Sequence, residues 1–314
     1  MKQELVDEII ACMPKERTLF RYFKDRYALM LLSYMTEKNI YDIKKSDFSG
    51  LLARPFVKEH LHMMGGGKIS KELIQYLWPH EVYNFVLTVS KWNNAKNNGG
   101  QTSRRGHNLV LQLNFSNQHD VDYKDLVKPE FDQLLNYNGH PVLGMDERQY
   151  FHETLAWARI DLDFDTNEAL IEEVQSDWIR RAKRLYSHAV WYKKRRYKKV
   201  HNWEVMGDVD SVIKYYEENL VPYKTLWDEA MLAASIDFIR NELGIEKIHY
   251  HSAKTGHCVK RISYTRPPVS LYEKLPKRFC FKKSAEAPEF LQSDKEFRRL
   301  YKKLRNPEWF NLAM

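Results

Sequence analysis

A chain of 314 residues, 43% hydrophobic and 29% charged, has an ordinary globular composition and enough length for one large domain or two moderate ones. No apolar run approaches a membrane span and Met1-Lys2-Gln3-Glu4 does not begin a secretory signal, so no membrane partner is expected and a cytoplasmic location is. A net charge of +8 and a pI of about 9.1 point to a polyanionic partner or an anionic cofactor, as long-range attraction.

From residue 2 to about 36, Leu5, Ile9 and Ile10, then Leu19, Phe23, Tyr27, Met30, Leu31 and Tyr34, recur at helical spacing. Short mixed segments follow to His62, and Met63 to Lys68, with three glycines, reads as a flexible linker. A phosphate cradle is the sharper reading of those glycines, but neither their spacing nor a preceding strand matches a P-loop. Ser70 is placed to cap a helix through Leu77, and residues 1–80 read as a helical N-terminal module. Cys12, Cys258 and Cys280 are odd in number and far apart, which predicts free thiols in a reducing cytosol.

Residues 81–285 read as an α+β core. Val82 to Val89 and Asn108 to Phe115 have strand composition, and the loop between them, Asn93 to His107, is long enough to be functional or mobile. Arg104 and Arg105 at its end suit either an anion or a solvated hairpin tip. Asp120 is placed to cap a helix through Leu135.

Thr154 to Trp178 predicts two strands around Asp165-Thr166-Asn167. A loop over Thr166 to Glu168 would pair Phe164 with Leu170, Ile160 with Val174, Asp161 with Glu173 and Arg159 with Gln175. Glu173, Gln175, Ser176 and Asp177 then crowd at the carboxyl end of a strand, where open sheets place ligands. A solvated sheet face is the plain alternative.

Residues 179–223 form a basic insertion. Lys193, Lys194, Arg195, Arg196, Lys198 and Lys199 interleave with Trp191, Tyr192 and Tyr197, as phosphate neutralisation plus base stacking on RNA, tRNA or DNA would want. A surface helix docked by its aromatics would look the same. Thr225 to Leu243 predicts a helix stopped by Gly244, and Ile245 to His251 a strand, giving one right-handed βαβ crossover from Glu168–Asp177. A short helix at Ser270 to Leu275, a strand at Arg278 to Lys282 and a basic helical tail over 286–314 complete the chain. The fold class is α+β: a mixed, largely antiparallel sheet with one βαβ crossover, preceded by the helical module.

The helix ending in Gly-Ile, the strand after it and the run Ser270-Leu271-Tyr272-Glu273-Lys274-Leu275-Pro276-Lys277-Arg278-Phe279 resemble the second half of a GNAT acetyltransferase. The resemblance implies an N-acyltransferase using acetyl-CoA or another acyl-CoA. Glu173 would deprotonate an amine, Tyr272 would protonate the departing thiolate, and Gln175 and Asp177 would share the site. The chain departs from the family in lacking a glycine-rich turn after the central strand and in carrying Pro276 for a glycine. Glu172-Glu173-Val174-Gln175-Ser176-Asp177-Trp178, the helix with Trp227, and Thr255-Gly256 also resemble a domain of large polyvalent proteins of phages and plasmids. That resemblance implies a mobile-element context and a site shared with Lys254, Thr255 and Gly256, expected to bind the cofactor. The rival function is a non-catalytic nucleic-acid-binding protein of a phage or mobile-element conflict system. His249 and His251 alternate on one strand face at zinc-ligand spacing, with His257, Cys258 and Asp177 as further donors, but strand histidines are more often packed and no metal is assigned. A triad from Ser176, a histidine and Asp177 has no nucleophile elbow to support it.

Overall fold

The sheet is built around the long hairpin of β4 (Thr154–Asp163) and β5 (Glu168–Gln175), with antiparallel neighbours added on one side and a parallel strand on the other. In this computed structural model the described residues are 1–13, 18–35, 38–63, 67–92, 101–131, 134–137, 140–141, 153–201, 203–262 and 268–313. With β1 (Thr18–Tyr22), β2 (Tyr83–Trp92), β3 (Asn108–Asn114), β6 (Lys247–His251), β7 (Lys282–Ser284) and β8 (Trp309–Leu312), the order is β1-β2-β3-β4-β5-β6-β8-β7. Among the described residues only the β5–β6 pair is parallel. The expected α+β class and mixed, largely antiparallel sheet are therefore what the chain forms.

The hairpin register differs from the expected one. A four-residue turn, Phe164 to Asn167, sets Asp163 opposite Glu168 and Ile160 opposite Ile171. The register then shifts, placing Arg159 opposite Glu173, Ala158 opposite Val174 and Trp157 opposite Gln175. Glu172 is thus the extra residue of a β-bulge. The physical reason lies in the run Ile171-Glu172-Glu173-Val174: strict alternation would send one of its two apolar residues to the opposite face, and the bulge keeps both in the main core. Both glutamates are left for the opposite face.

β5 and β6 are joined through the helices Asp177–Lys194, Val209–Lys214 and Val221–Asp237, a longer crossover than the single helix expected. Every residue from Glu229 to Ile236 is buried, so this stretch of the helix is covered on all sides. It packs on β3, β4 and β5, and the helix Arg26–Ser33 packs on it from outside. Ala230, Ala233 and Ala234 permit the close approach. Its one buried acid, Glu229, accepts hydrogen bonds from Tyr22 Oη (2.9 Å), Asp25 N (2.8 Å), Lys24 Nζ (2.5 Å) and Arg278 (3.2 Å).

Residues 1–80, expected as helical, hold the helices Gln3–Cys12 and Arg26–Ser33 but also β1, which pairs with β2. The i, i+4 spacing of Leu19, Phe23 and Tyr27 hid a strand rich in aromatic and β-branched residues. Tyr22, Leu31 and Leu51 share one hydrophobic cluster with Leu111, Ile160 and Ala230. The tail, also expected as helical, carries the helix Lys295–Tyr301 and then β8, which enters the sheet between β6 and β7. The strand expected at 278–282 is β7 at Lys282–Ser284, and the helix expected to reach Leu135 ends at Val127, where Lys128 is left-handed (φ 51°). A second, smaller core of Leu170, Val259, Phe290, Leu291, Phe297 and Trp309 lies on the other sheet face.

Candidate active site

The bulge turns two adjacent carboxylates into a buried polar centre. Glu172, fully buried, accepts from Ser103 N (2.8 Å) and Ser103 Oγ (2.9 Å), and its Oε2 lies 3.1 Å from His251 Nε2. Burial alone would raise its pKa, but the His251 contact and the Lys260 and Arg159 charges outweigh burial and hold it at about 2. Burial pushes the His251 pKa down, so the imidazole is neutral near pH 7 and Nε2 carries the proton facing the carboxylate. Ser103 Oγ is 2.7 Å from the same nitrogen. Because serine and glutamate meet one nitrogen, with neither on Nδ1, the three form a closed triangle and not a catalytic relay.

Glu173 faces Arg159 across the hairpin and is bonded directly by its guanidinium, while Lys260 Nζ lies 3.7 Å from the same carboxylate oxygen. Arg159 and Lys260 are 0% and 2% exposed. Lys260 also donates to Glu172 O (2.8 Å), and Arg159 donates to Gln101 O (2.9 Å) with its guanidinium 4.6 Å from the Trp92 ring centre. Burial pushes the Glu173 pKa up, but Lys260 and Arg159 together carry it below the ordinary carboxylate value. Two cations and two carboxylates thus balance inside the protein.

Two residues on, Ser176 caps the crossover helix: its Oγ accepts from Ile179 N (3.1 Å) and donates to Leu155 O (2.6 Å), so it is no nucleophile. Asp177, 2% exposed, accepts on Oδ2 from His140 Nδ1 (2.7 Å) and Trp157 Nε1 (3.3 Å), and on Oδ1 from Gln175 (2.9 Å) and Arg180. Burial raises its pKa, but the His140 bond and the Arg180 charge more than reverse this. With Nδ1–H committed to the carboxylate, Nε2 is the His140 nitrogen that accepts or releases a proton. The ring stands among Trp157 (5.4 Å between centres), Tyr137 (4.8 Å) and Trp92 (6.2 Å), and is a quarter exposed.

Tyr272 sits on the wide helical turn Ser270–Lys274, its ring 5.7 Å from Lys260 Nζ. Burial first, and then the Glu173 charge, lift its pKa well above the ordinary tyrosine value, so it keeps its proton. Glu173, Gln175, Asp177 and Tyr272 therefore gather in one region, with Glu173 in electrostatic reach of both His140 and Tyr272. Lys254, Thr255 and Gly256 are instead occupied with the C-terminal segment and the core. Lys254 Nζ donates to Arg305 O and Asn306 O, and Thr255 Oγ1 exchanges two hydrogen bonds with the Glu308 backbone. A Cβ on Gly256 would lie 3.2 Å from the His251 ring.

His249 is shared between Asn311 (2.9 Å) and Glu168 (3.3 Å), and among the described residues no three His, Cys, Asp or Glu side chains are grouped to hold a metal. Arg104 grips Asp161 through two nitrogens (2.8 and 2.9 Å) and Arg105 reaches Glu296 (3.1 Å), which accounts for both without an anion; residues 93–100 of their loop lie outside the described residues. Lys193, Lys194, Arg195, Arg196, Lys198 and Lys199 are exposed at the far end of the crossover helix, roughly 25 Å from Asp177 at about 1.5 Å per residue. Arg195 lies 3.7 Å over the exposed Trp191 ring, and Lys193 pairs with Asp210.

Arg159, Lys260, His140, Ser103 and Trp157 were not picked out as site residues from sequence. A lone arginine in the otherwise apolar Leu155-Ala156-Trp157-Ala158-Arg159-Ile160 was a readable signal of a buried partner; Lys260 and His140 carried none. Among the described residues no helix is long and apolar enough to cross a membrane. No family model, curated protein or solved structure matches this chain.

Proposed function

We propose that the chain is a GNAT-like N-acyltransferase of a mobile-element context, acting in the cytoplasm on an amine. The observation that carries the reading is the Lys260 ammonium set between a buried carboxylate and a buried phenol, 3.7 Å from Glu173 Oε2 and 5.7 Å from the Tyr272 ring. An ammonium must lose a proton before its nitrogen can form the new bond to an acyl carbon, and the leaving sulfur must gain one as its bond to carbon breaks. Glu173 receives the amine as an anion, but Arg159 and Lys260 hold its pKa too low for a lasting proton. His140, oriented by Asp177, takes that proton on Nε2, and Tyr272 gives its own to the leaving group. An acyl-CoA would supply the activated acyl group. Its pyrophosphate does not fit the turn after β5, where Ser176 and the Asp177 carboxylate occupy the helix start and no glycine is present. The donor's phosphates must therefore be held elsewhere on the protein, or the donor is another thioester.

The test is acyl transfer from acetyl-CoA and longer acyl-CoAs to a panel of amines and aminoacyl-tRNA. Tyr272→Phe and His140→Gln should each lower the rate by about 10²–10⁴-fold without changing the melting temperature by more than a few degrees. Transfer that is absent with every donor, or unchanged in both variants, rejects the reading.

A second reading has its own observation. Trp191 and Tyr197 are 46% and 50% exposed within a run of exposed cations, as a non-catalytic RNA- or DNA-binding surface requires.

A further inference from the structure

On the edge of the sheet away from the Glu173 centre, three strands and so about 14 Å across from β4, lies a cleft of about 410 Å³. It is walled by β1, the helix Arg26–Ser33, the helix Lys71–Tyr76 and the end of the helix Val221–Asp237. The volume is that of a small-molecule site.

Its charge is unbalanced. Arg21, Arg26 and Lys71 line it against one acid, Asp237, a net of 3 − 1 = +2. Asp237 is already engaged by Tyr34 Oη (3.4 Å) and Asn241 Nδ2 (2.7 Å), and burial raises its pKa. Arg21 and Arg26 both stack on Trp78, their guanidinium carbons 4.4 and 3.9 Å from its ring centre, and among the described residues neither has a salt-bridge partner. Arg26 is partly withdrawn from water, and that burial pushes its pKa down. Asp237 acts on Arg26 only from beyond salt-bridge distance, so the cleft keeps an excess of positive charge that a bound anion would neutralise. The Trp78 ring gathers both guanidinium groups, and a guanidinium fork suits the paired oxygens of a phosphate. Beside them the cleft offers flat apolar surface: Phe20, stacked on Tyr22 (5.7 Å, 22° between planes). Ser33, Gln75 and Asn241 add neutral hydrogen-bonding groups for a ring's edge.

We infer that this cleft is a binding site for a phosphorylated planar ring of the nucleoside-monophosphate class. Arg21 and Arg26 take the phosphate, and the aromatic wall takes the ring. The inference is independent of acyl transfer and uses none of its residues.

The test is calorimetric titration of the full-length chain with AMP, adenosine and inorganic phosphate. AMP should bind, and bind roughly tenfold or more tightly than either fragment, because only it engages both halves of the cleft. Arg26→Gln should weaken AMP by about tenfold or more, the loss of one charge-assisted contact, and Arg21→Gln, a surface change that spares the fold, by less. The combined Lys194→Ala, Arg195→Ala, Arg196→Ala chain should bind AMP as the parent does. No binding at millimolar AMP, equal binding of phosphate and AMP, or loss of binding only in the triple variant would overturn the assignment.

Discussion

The two ends of the helix Asp177–Lys194 show how one kind of residue is put to opposite uses. At the first turn Asp177 is 2% exposed and accepts from His140, Trp157, Gln175 and Arg180. At the last turn Lys193 and Lys194, and beyond them Arg195 to Lys199, stand in water. Charge density in the sequence is alike at both ends, yet the first end is buried among its partners and the second is open to solvent. A buried charge is worth what its partners make it worth, whereas an exposed charge acts at long range and is screened by salt.

The sharpest way to break this contrast is to remove one partner from the buried side. Arg159→Met should cost about 3–5 kcal/mol in urea unfolding, because Glu173 is left with Lys260 alone. The pair change Arg159→Met with Glu173→Leu should recover much of that loss, since well-packed apolar residues can replace an ion pair. If the single variant costs under about 1 kcal/mol, the centre is wetter than its burial indicates.

Acid gives the next largest effect. The folded-state pKa of Glu172, about 2, lies below its unfolded value of 4.5, so its contribution is complete above the unfolded pKa and drains away as pH falls toward 2. The difference corresponds to about 3 kcal/mol, lost mainly between about pH 5 and 2. A Glu172→Gln chain followed by denaturant melts over that range should show a shallower decline; an identical slope would mean that Glu172 is not the group being protonated.

The smallest effect on stability belongs to the exposed end. Replacing Lys194, Arg195 and Arg196 by alanine should change unfolding by less than about 0.5 kcal/mol. If single-stranded RNA binds there, the same change should reduce the slope of log affinity against log salt by about 2, from three lost phosphate contacts at about 0.7 each. A stability loss of several kcal/mol would instead make this end structural.

What the sequence disclosed follows the range of the interactions involved. β2, β3, the hairpin arms and the Gly244 stop rest on local periodicity and were placed within a few residues. β1 and β8 are four or five residues long and exist because a neighbouring strand accepts them, which no local pattern encodes. The hairpin register failed at a single residue, since strict alternation cannot foresee a bulge, although the spacing of Ile171 and Val174 hinted at one. At the site, the Glu173-Gln175-Asp177 run was legible because its residues are adjacent. Their partners His140, Arg159 and Lys260 come from three separate places and meet only through the fold.

The insertion of β8 between β6 and β7 has a consequence for the order of folding. Among the described residues β7 pairs only with β8, so neither outer strand can join until residues 309–312 reach β6, 58 positions after it ends at His251. Closing so distant a pair is slow. Until it happens, β6 is an unprotected edge with a row of open backbone groups, a template for another chain. The Trp309 ring, 4.7 Å from His251, arrives with the same step. The buried triangle behind the bulge is thus closed on this side only when β8 is in place.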